Sequence, residues 1–360
     1  MENFIVSARK YRPTTWESVV GQKPITDTLR TAIESNHLAQ AFLFTGPRGV
    51  GKTTTARILA KTINRNDFDQ EVNEDEDFAF NIFELDAASN NSVDDIRQLI
   101  EQVRIPPQIG SHKVYIIDEV HMLSAAAFNA FLKTLEEPPE HAIFILATTE
   151  KHKILPTIIS RCQVFDFQRI GNADIVSYLQ YIAKEEDITV EENALHTIAQ
   201  KADGGMRDAL SLFDQIVSFS GNSVTYQNVI DSLNVLDFEF YFKATDLILE
   251  HNASGSLILF NEVLKKGFDG HNFIVGIASH FRDLLVSSDE QTVSLLETSD
   301  ALKSRYLTQA KKCKPEFLLD ALQLLSDVDF RYKASKNQRL LVEICVMQLS
   351  SISSGAEKKN

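Results

Sequence analysis

The chain has 360 residues, 44% of them apolar and 24% charged, with a formal net charge of −14. That length exceeds one ordinary core and points to two or three domains. The longest apolar run, "AIFILA" at 142–147, is far short of the ~18 residues of a membrane span, so no membrane partner is expected. Cys162, Cys313 and Cys345 lie far apart, the nine histidines show no metal-ligand spacing, and "MENFIVSARKYRP" has no apolar stretch of a secretory signal. Together these argue against a disulfide framework and a zinc ribbon, and for a reducing, cytoplasmic setting. The acidic balance does not decide the partner, because seven carboxylates fall in 67–77 without one base.

In chain order, "AFLFTG" (41–46) reads as a short buried strand and 52–63 as a helix. "NIFELD" (81–86) is a second strand, followed by a helix over 92–104. "KVYIIDEV" (113–120) is a third, and "SAAAFNAFLKTLEE" (124–137) a helix for which Ser124 is a suitable N-cap. "AIFILATT" (142–149) and "QVFDFQ" (163–168) are the fourth and fifth strands. Strands alternating with helices predict a parallel sheet covered on both faces. After about 170 the strands are expected to stop. Helices follow over 172–185, 191–203 and 206–219, with a break at "SGNS" (220–223). From 237 to 350 the reading is helical again, broken at "ASGS" (253–256) and "GFDG" (267–270), and the 351–360 tail is polar.

The chemistry begins at "GPRGVGKT", residues Gly46, Pro47, Arg48, Gly49, Val50, Gly51, Lys52 and Thr53, with Thr54 next. This is G-x-x-x-x-G-K-[ST] between a strand and a helix. The glycines let backbone N–H groups turn towards phosphates, and the helix N-terminus adds partial positive charge. Lys52 is placed to reach the β- and γ-phosphates of ATP, and Thr53 to hold Mg²⁺. "VYIIDE" ends a buried strand on Asp118 and Glu119. Alone that is a solvated strand end; behind a P-loop, Asp118 ligates Mg²⁺ through water and Glu119 orients the attacking water. A hydroxyl of "ATTE" (147–150) is a candidate to position that water. Arg161 in "SRC" is poorly placed for its own site and suits an arginine finger into a neighbouring subunit's ATP, worth roughly 10³–10⁵ in rate. Cys162 reads as a small buried apolar residue. Arg207 sits in the first turn of a helix, where a cation is unfavourable; it is either a γ-phosphate contact or a solvated arginine.

"ARKYRPTTWESVVGQ", "GPRGVGKTTTARILAK", "ELDAASNNSVDDIR", "KVYIIDEVHMLSAAAFNAFLKTLEEPPEHAIFILATTE", "ILPTIISRC" and "ADGGMRDALSLFDQ" resemble the gamma/tau family of bacterial DNA polymerase III, the AAA+ motors of the sliding-clamp loader. The resemblance implies an AAA+ P-loop domain with a five-stranded parallel sheet (1–169), a helical lid (170–236) and an all-α collar (237–350). It also implies a ring with delta, delta-prime and other copies of the chain, which opens the sliding clamp and loads it on primed DNA. Lys52, Thr53, Asp118, Glu119 and Arg207 then act in cis and Arg161 in trans. The spacing to "SRC" favours Thr149 over Thr148 as the sensor hydroxyl, and "YRP" and Val19 to Gln22 match the segment that closes over adenine. "DEVH" also fits a helicase-like motor, and a non-hydrolysing scaffold subunit like delta-prime is the other alternative. Typical family members carry four cysteines between the P-loop helix and the "ELDAAS" strand; here Arg65 and "NDFDQEVNEDEDF" replace them. Structural zinc sites are built from thiolate and imidazole ligands, and carboxylates alone make a weak, hard-cation site at best.

The purified protein is therefore expected to contain no stoichiometric zinc by atomic absorption. A zinc-selective chelator, with Mg²⁺ kept in excess, should leave its melting temperature and ATP turnover unchanged, since a structural zinc site contributes folding energy that removal would take away. About one zinc per chain would contradict this.

Overall fold

The structure, a computed structural model, describes residues 5–64, 80–108, 110–289, 291–296 and 298–352. The acidic run, and with it the expectation about zinc, lies outside the described residues. The chain divides into two compact units, Met1–Glu186 with Ile198–Asp214, and Asp187–Thr197 with Gln215–Asn360. Among the described residues, no helix is long and apolar enough to cross a membrane.

The first unit opens with helices α1 (Ser7–Lys10) and α2 (Lys23–Glu34). Strand β1 (Ala41–Thr45) leads into α3 (Lys52–Ile63), β2 (Ile82–Asp86) into α4 (Val93–Val103), and β3 (Lys113–Asp118) into α5 (Ala125–Glu136). Strand β4 (Ala142–Thr148), the short α6 (Pro156–Ile159) and β5 (Gln163–Asp166) complete the sheet. All five strands are parallel, in the order β2-β3-β4-β1-β5. Period-two alternation gives the sheet two apolar faces. Phe42, Phe44, Val114, Ile116, Ile143 and Ile145 pack with Leu29 and Ile33 of α2 and Leu59 of α3. Their neighbours Leu43, Tyr115, Ile117, Phe144 and Leu146 pack with Ile96 and Leu99 of α4 and Phe128 and Phe131 of α5.

Caps decide where the flanking helices start. Ser92 accepts from the Asp95 amide while Asp95 accepts from the Ser92 amide, a reciprocal capping box. Ser124 accepts from the Ala127 amide at 3.2 Å, the cap its sequence position suggests.

Helices α7 (Asn172–Glu185), α8 (Glu192–Ala202), α9 (Met206–Ser220) and α10 (Tyr226–Leu233) follow the sheet. The strands do not stop at 170: β6 (Thr189–Val190) and β7 (Ser223–Val224) form a two-residue parallel pair. Two residues are too short to show an alternating pattern, which is why the sequence reads there as loop.

The second unit continues with α11 (Phe238–Leu249), α12 (Ala253–Lys265), α13 (Gly270–Val286), α14 (Asp300–Ala310), α15 (Pro315–Tyr332) and α16 (Gln338–Ser351). Its core includes Phe242, Phe260, Phe273, Phe281, Phe317 and Val346. "ASGS" is not a break but the first turn of α12. Asn252 accepts from the Gly255 amide at 2.8 Å, and a Cβ on Gly255 would lie 2.9 Å from Asn252 Nδ2. "GFDG" is a break, with Asp269 accepting from the Asn272 amide at 2.7 Å to start α13.

One buried polar network sits in this core. His280 on α13 is 1% exposed. Gln309 Nε2 donates to the Phe242 carbonyl (2.9 Å) and to Asp246 Oδ1 (3.1 Å), which leaves its Oε1 to accept from His280 Nε2–H at 2.9 Å. His280 Nδ1 is then the acceptor for the Tyr306 hydroxyl at 3.1 Å. Burial pushes the imidazole down to about 4 from its ordinary 6.5. The unfolded chain therefore binds this proton first, between pH 6.5 and 4. Stability should be level above pH 6.5 and fall as the pH drops towards 4, by on the order of 3 kcal/mol from this group. Urea unfolding of the full chain at pH 7.5 and pH 4.5 checks it. His280→Gln should be less stable at pH 7.5 yet show a visibly shallower loss between the two.

Candidate nucleotide-binding site

Registry places the candidate residues. Thr45 at the end of β1 lies opposite Thr148 of β4 on one side and Asp166 of β5 on the other. Strand β3 ends beside β4 at Asp118. The loops that follow β1, β3 and β4 thus leave the same carboxyl edge of the sheet, where open parallel sheets hold their ligands.

The loop after β1 is shaped by glycine. Gly46 has φ of 138°, and a Cβ there would lie 2.3 Å from the Phe167 carbonyl oxygen. Gly51, at φ of 104°, turns the chain into α3 in a left-handed conformation open to few other residues. Lys52 is only 6% exposed. Its Nζ donates to the carbonyls of Gly46 (2.8 Å) and Pro47 (2.6 Å). Burial lowers its pKa, opposed by the nearby carboxylates of Glu119 and Asp118. Thr53 Oγ1 donates to Asp118 Oδ2 at 2.6 Å.

The strand read as 113–120 ends at Asp118, because Glu119 takes the left-handed conformation (φ 48°, ψ 43°) and starts a 3-10 turn, Val120–Met122. For a residue with a side chain that conformation costs roughly 1–3 kcal/mol. The Glu119 amide donates to Asp118 Oδ1 at 2.9 Å, and both side chains line one cavity. Beyond β4, the Thr149 amide and hydroxyl both donate to Glu119 Oε2, at 3.3 and 3.1 Å. The adjacent Thr148 is fully buried and faces His121 instead (3.0 Å). The two neighbouring hydroxyls, of which the spacing to "SRC" favours Thr149 as the sensor, thus have separate partners.

The cavity has a volume of about 590 Å³. Its basic lining residues are Arg9, Arg12, Arg48, Lys52, Arg57 and Arg207, against the acids Asp118 and Glu119. On a chain of net charge −14 this is a local reversal that suits a polyanion. Val19, Val20, Ile170, Met206 and Leu210 add apolar wall. Gln22 is buried and ties this wall to the sheet by donating to the Gln168 carbonyl at 2.7 Å. Arg207 stands in the first turn of α9, where its amide donates to the Gly49 carbonyl at 3.4 Å. Arg161 does not line the cavity. Its guanidinium donates to the Thr157 carbonyl and to Glu136 Oε1, each at 2.7 Å.

Sequence reasoning missed Arg57, Tyr178, Met206 and Leu210. Arg57 had a signal, because it lies one helical turn after Thr53. Tyr178, Met206 and Leu210 had none, since α7 and α9 reach the cavity only through the fold. His121 stood in view as the last letter of "DEVH", without an assigned role.

The donor set fits a magnesium nucleotide. Thr53 and Asp118 converge two hard oxygens, and Mg²⁺ typically takes one or two protein ligands and fills its octahedron with water and phosphate oxygens. Among the described residues there is no cluster of three His, Cys, Asp or Glu side chains able to hold a metal by itself. A glycine loop with a buried lysine, opposed by an Asp-Glu strand end and a polar strand end across a five-stranded parallel sheet, defines an ATPase-type domain of the AAA+ class.

Comparison with known proteins agrees. A family model described as DNA polymerase III, delta subunit, matches residues 21–171, and one described as DNA polymerase III clamp loader subunit, ATPase lid domain, matches 174–222. DNA polymerase III subunit tau of Bacillus subtilis (strain 168) is 40% identical over 96% of this chain, which spans 63% of that relative's length. DNA polymerase III subunit gamma of Buchnera aphidicola (subsp. Acyrthosiphon pisum) is 32% identical over 97% of this chain and 99% of the relative. The chain belongs to the DNA polymerase III gamma/tau family. A solved point variant of Thermotoga maritima RuvB, 21% identical with a TM-score of 0.50 over 67% of this chain and 80% of that one, shares the fold.

The Gly46 geometry generates a test. Gly46→Ala puts a Cβ against the Phe167 carbonyl at a φ reserved for glycine, so the melting temperature should drop by several degrees. Titration with a fluorescent ATP analogue should show binding lost or weakened at least about tenfold. Unchanged affinity would mean that the loop does not hold phosphate.

Proposed function

We propose that the chain is the ATP-hydrolysing motor subunit of a DNA polymerase III clamp loader. In this reading it assembles with delta, delta-prime and other copies of itself, opens the sliding clamp and places it on primed DNA. The observation that carries the reading is the convergence of Lys52, Thr53, Asp118 and Glu119 on one cationic cavity, with Thr149 behind Glu119, within a chain of this family. The domain assignment goes with it: ATPase domain 1–169, lid 170–236, collar 237–350.

Each residue has a chemical task. The loop from Gly46 to Thr54 presents amide N–H groups to the phosphates, and Lys52 supplies a buried cation for the β- and γ-phosphates. Thr53 and Asp118 hold Mg²⁺, which neutralises charge on the transferring phosphoryl group. Glu119, fixed on one oxygen by Thr149, orients the attacking water. Arg207 brings a cation from α9 to the γ-phosphate. Arg161 reaches a neighbouring subunit's nucleotide, and its contacts with Glu136 and Thr157 hold it ready at the end of α6. The intact Lys52 and Asp118–Glu119 pair supports hydrolysis over a scaffold role.

ATP turnover measured with the full chain, delta, delta-prime, clamp and primed DNA tests the reading. Turnover should be slow for the chain alone and rise on assembly. Arg161→Ala should keep nucleotide affinity while lowering assembled turnover by roughly 10³-fold or more. Lys52→Ala should weaken binding itself, and Glu119→Gln should bind ATP but stall the complex. Equal rates for the lone chain and the ring would overturn the trans role of Arg161.

A further inference from the structure

His121 is left over from the chemistry above, yet its side chain is only 6% exposed and lies among the site's hydroxyls and carboxylates. It follows Glu119 by two residues in the 3-10 turn that the left-handed Glu119 backbone begins. Nδ1 lies 3.0 Å from Thr148 Oγ1 and 3.4 Å from Glu119 Oε2. Nε2 lies 3.3 Å from Glu150 Oε1, and Glu150 in turn holds Lys153 at 2.8 Å. With the ring proton on Nδ1, His121 donates to Thr148 Oγ1, which also accepts from the Glu150 amide at 3.0 Å, and presents the same N–H to Glu119 Oε2; Nε2 then carries no proton for Glu150. The ring is therefore held by the end of β4.

Among the described residues, the hydrogen bonds and the histidine contact of the Glu119 carboxylate fall on one oxygen. Oε2 receives the Thr149 amide, the Thr149 hydroxyl and the approach of His121. Oε1 is the oxygen left for a group in the cavity. Thr149 alone grips Oε2 from one residue; a second grip from His121 removes the remaining freedom of a carboxylate plane carried on a strained backbone.

We propose that His121 is a positioning residue for Glu119: anchored by Thr148, it holds Glu119 Oε2 so that Oε1 keeps its aim at the attacking water. The proposal rests on Glu119 as the water-orienting carboxylate of the motor reading. It acts through Glu119 and makes no demand on nucleotide binding.

The test is steady-state ATP turnover of the full chain assembled with its partner subunits, clamp and primed DNA, with nucleotide affinity and melting temperature measured in parallel. His121→Ala should lower kcat about tenfold, a part of the roughly 10²–10⁴ that a positioned base contributes. KM should stay within about twofold, the mark of an interaction realised in the transition state. His121→Asn, whose amide N–H takes the place of Nδ1–H, should recover most of the rate. His121→Gln, which reaches Glu150 but not Glu119, should stay slow. In a Glu119→Gln background, His121→Ala should remove nothing further. The proposal is overturned if His121→Ala keeps its kcat, if Asn is as slow as Gln at equal melting temperature, or if His121→Ala costs as much with Gln at 119. Should the alanine variant fail to fold, the Asn and Gln pair decides by itself. A wild-type assembly without turnover would instead overturn the motor reading on which this inference stands.

Discussion

Thr53 and Asp118 lie 65 residues apart in the chain and 2.6 Å apart in the fold. That hydroxyl–carboxylate contact depends on three things at once: β1 and β3 must end on the same edge of the sheet, β4 must lie between them, and Gly51 must turn the loop into α3 with Thr53 facing inwards. Parallel pairing provides the first. A strand buried on both faces slips by one residue only by exchanging its entire apolar set between the two cores, so the packing of Phe42 and Phe44 against one layer and Leu43 against the other locks the register. The site inherits its geometry from that lock.

Local irregularity is concentrated where the site needs it. Gly46 passes so close to the Phe167 carbonyl that no side chain fits, and Glu119 occupies a conformation that few residues with a side chain adopt. Regular structure would have continued β3 past Glu119, with successive side chains on opposite faces of the sheet. The left-handed turn sends Asp118 and Glu119 into the same cavity and starts the short helix that carries His121. The Thr149 and His121 contacts on Glu119 Oε2 offset part of that strain.

Charge behaves in the same local way. The net charge of −14 describes the chain as a whole, whereas the cavity is lined by more arginine and lysine than carboxylate. Some of the surface carboxylate is paired across elements, as between Asp166 and Lys151 or Glu136 and Arg161. A sum over the chain therefore says little about what one concave surface attracts.

The sequence by itself determined the glycine loop, the Asp-Glu strand end and the five alternating strands, because each is carried by contiguous residues whose spacing follows from backbone geometry. It also placed the Ser124 cap, whose partner is three residues away. It failed where the deciding neighbour was distant or the local pattern ambiguous: the two-residue pair β6–β7, the glycine turn absorbed into α12 by Asn252, and the extent of β3. Only the tertiary structure decided that Thr149 faces Glu119 while Thr148 faces His121, and that Arg57, Tyr178 and Met206 line the cavity. These are contacts between side chains brought together by strand order and helix packing, and periodicity along one segment has no information about which other segment will arrive there.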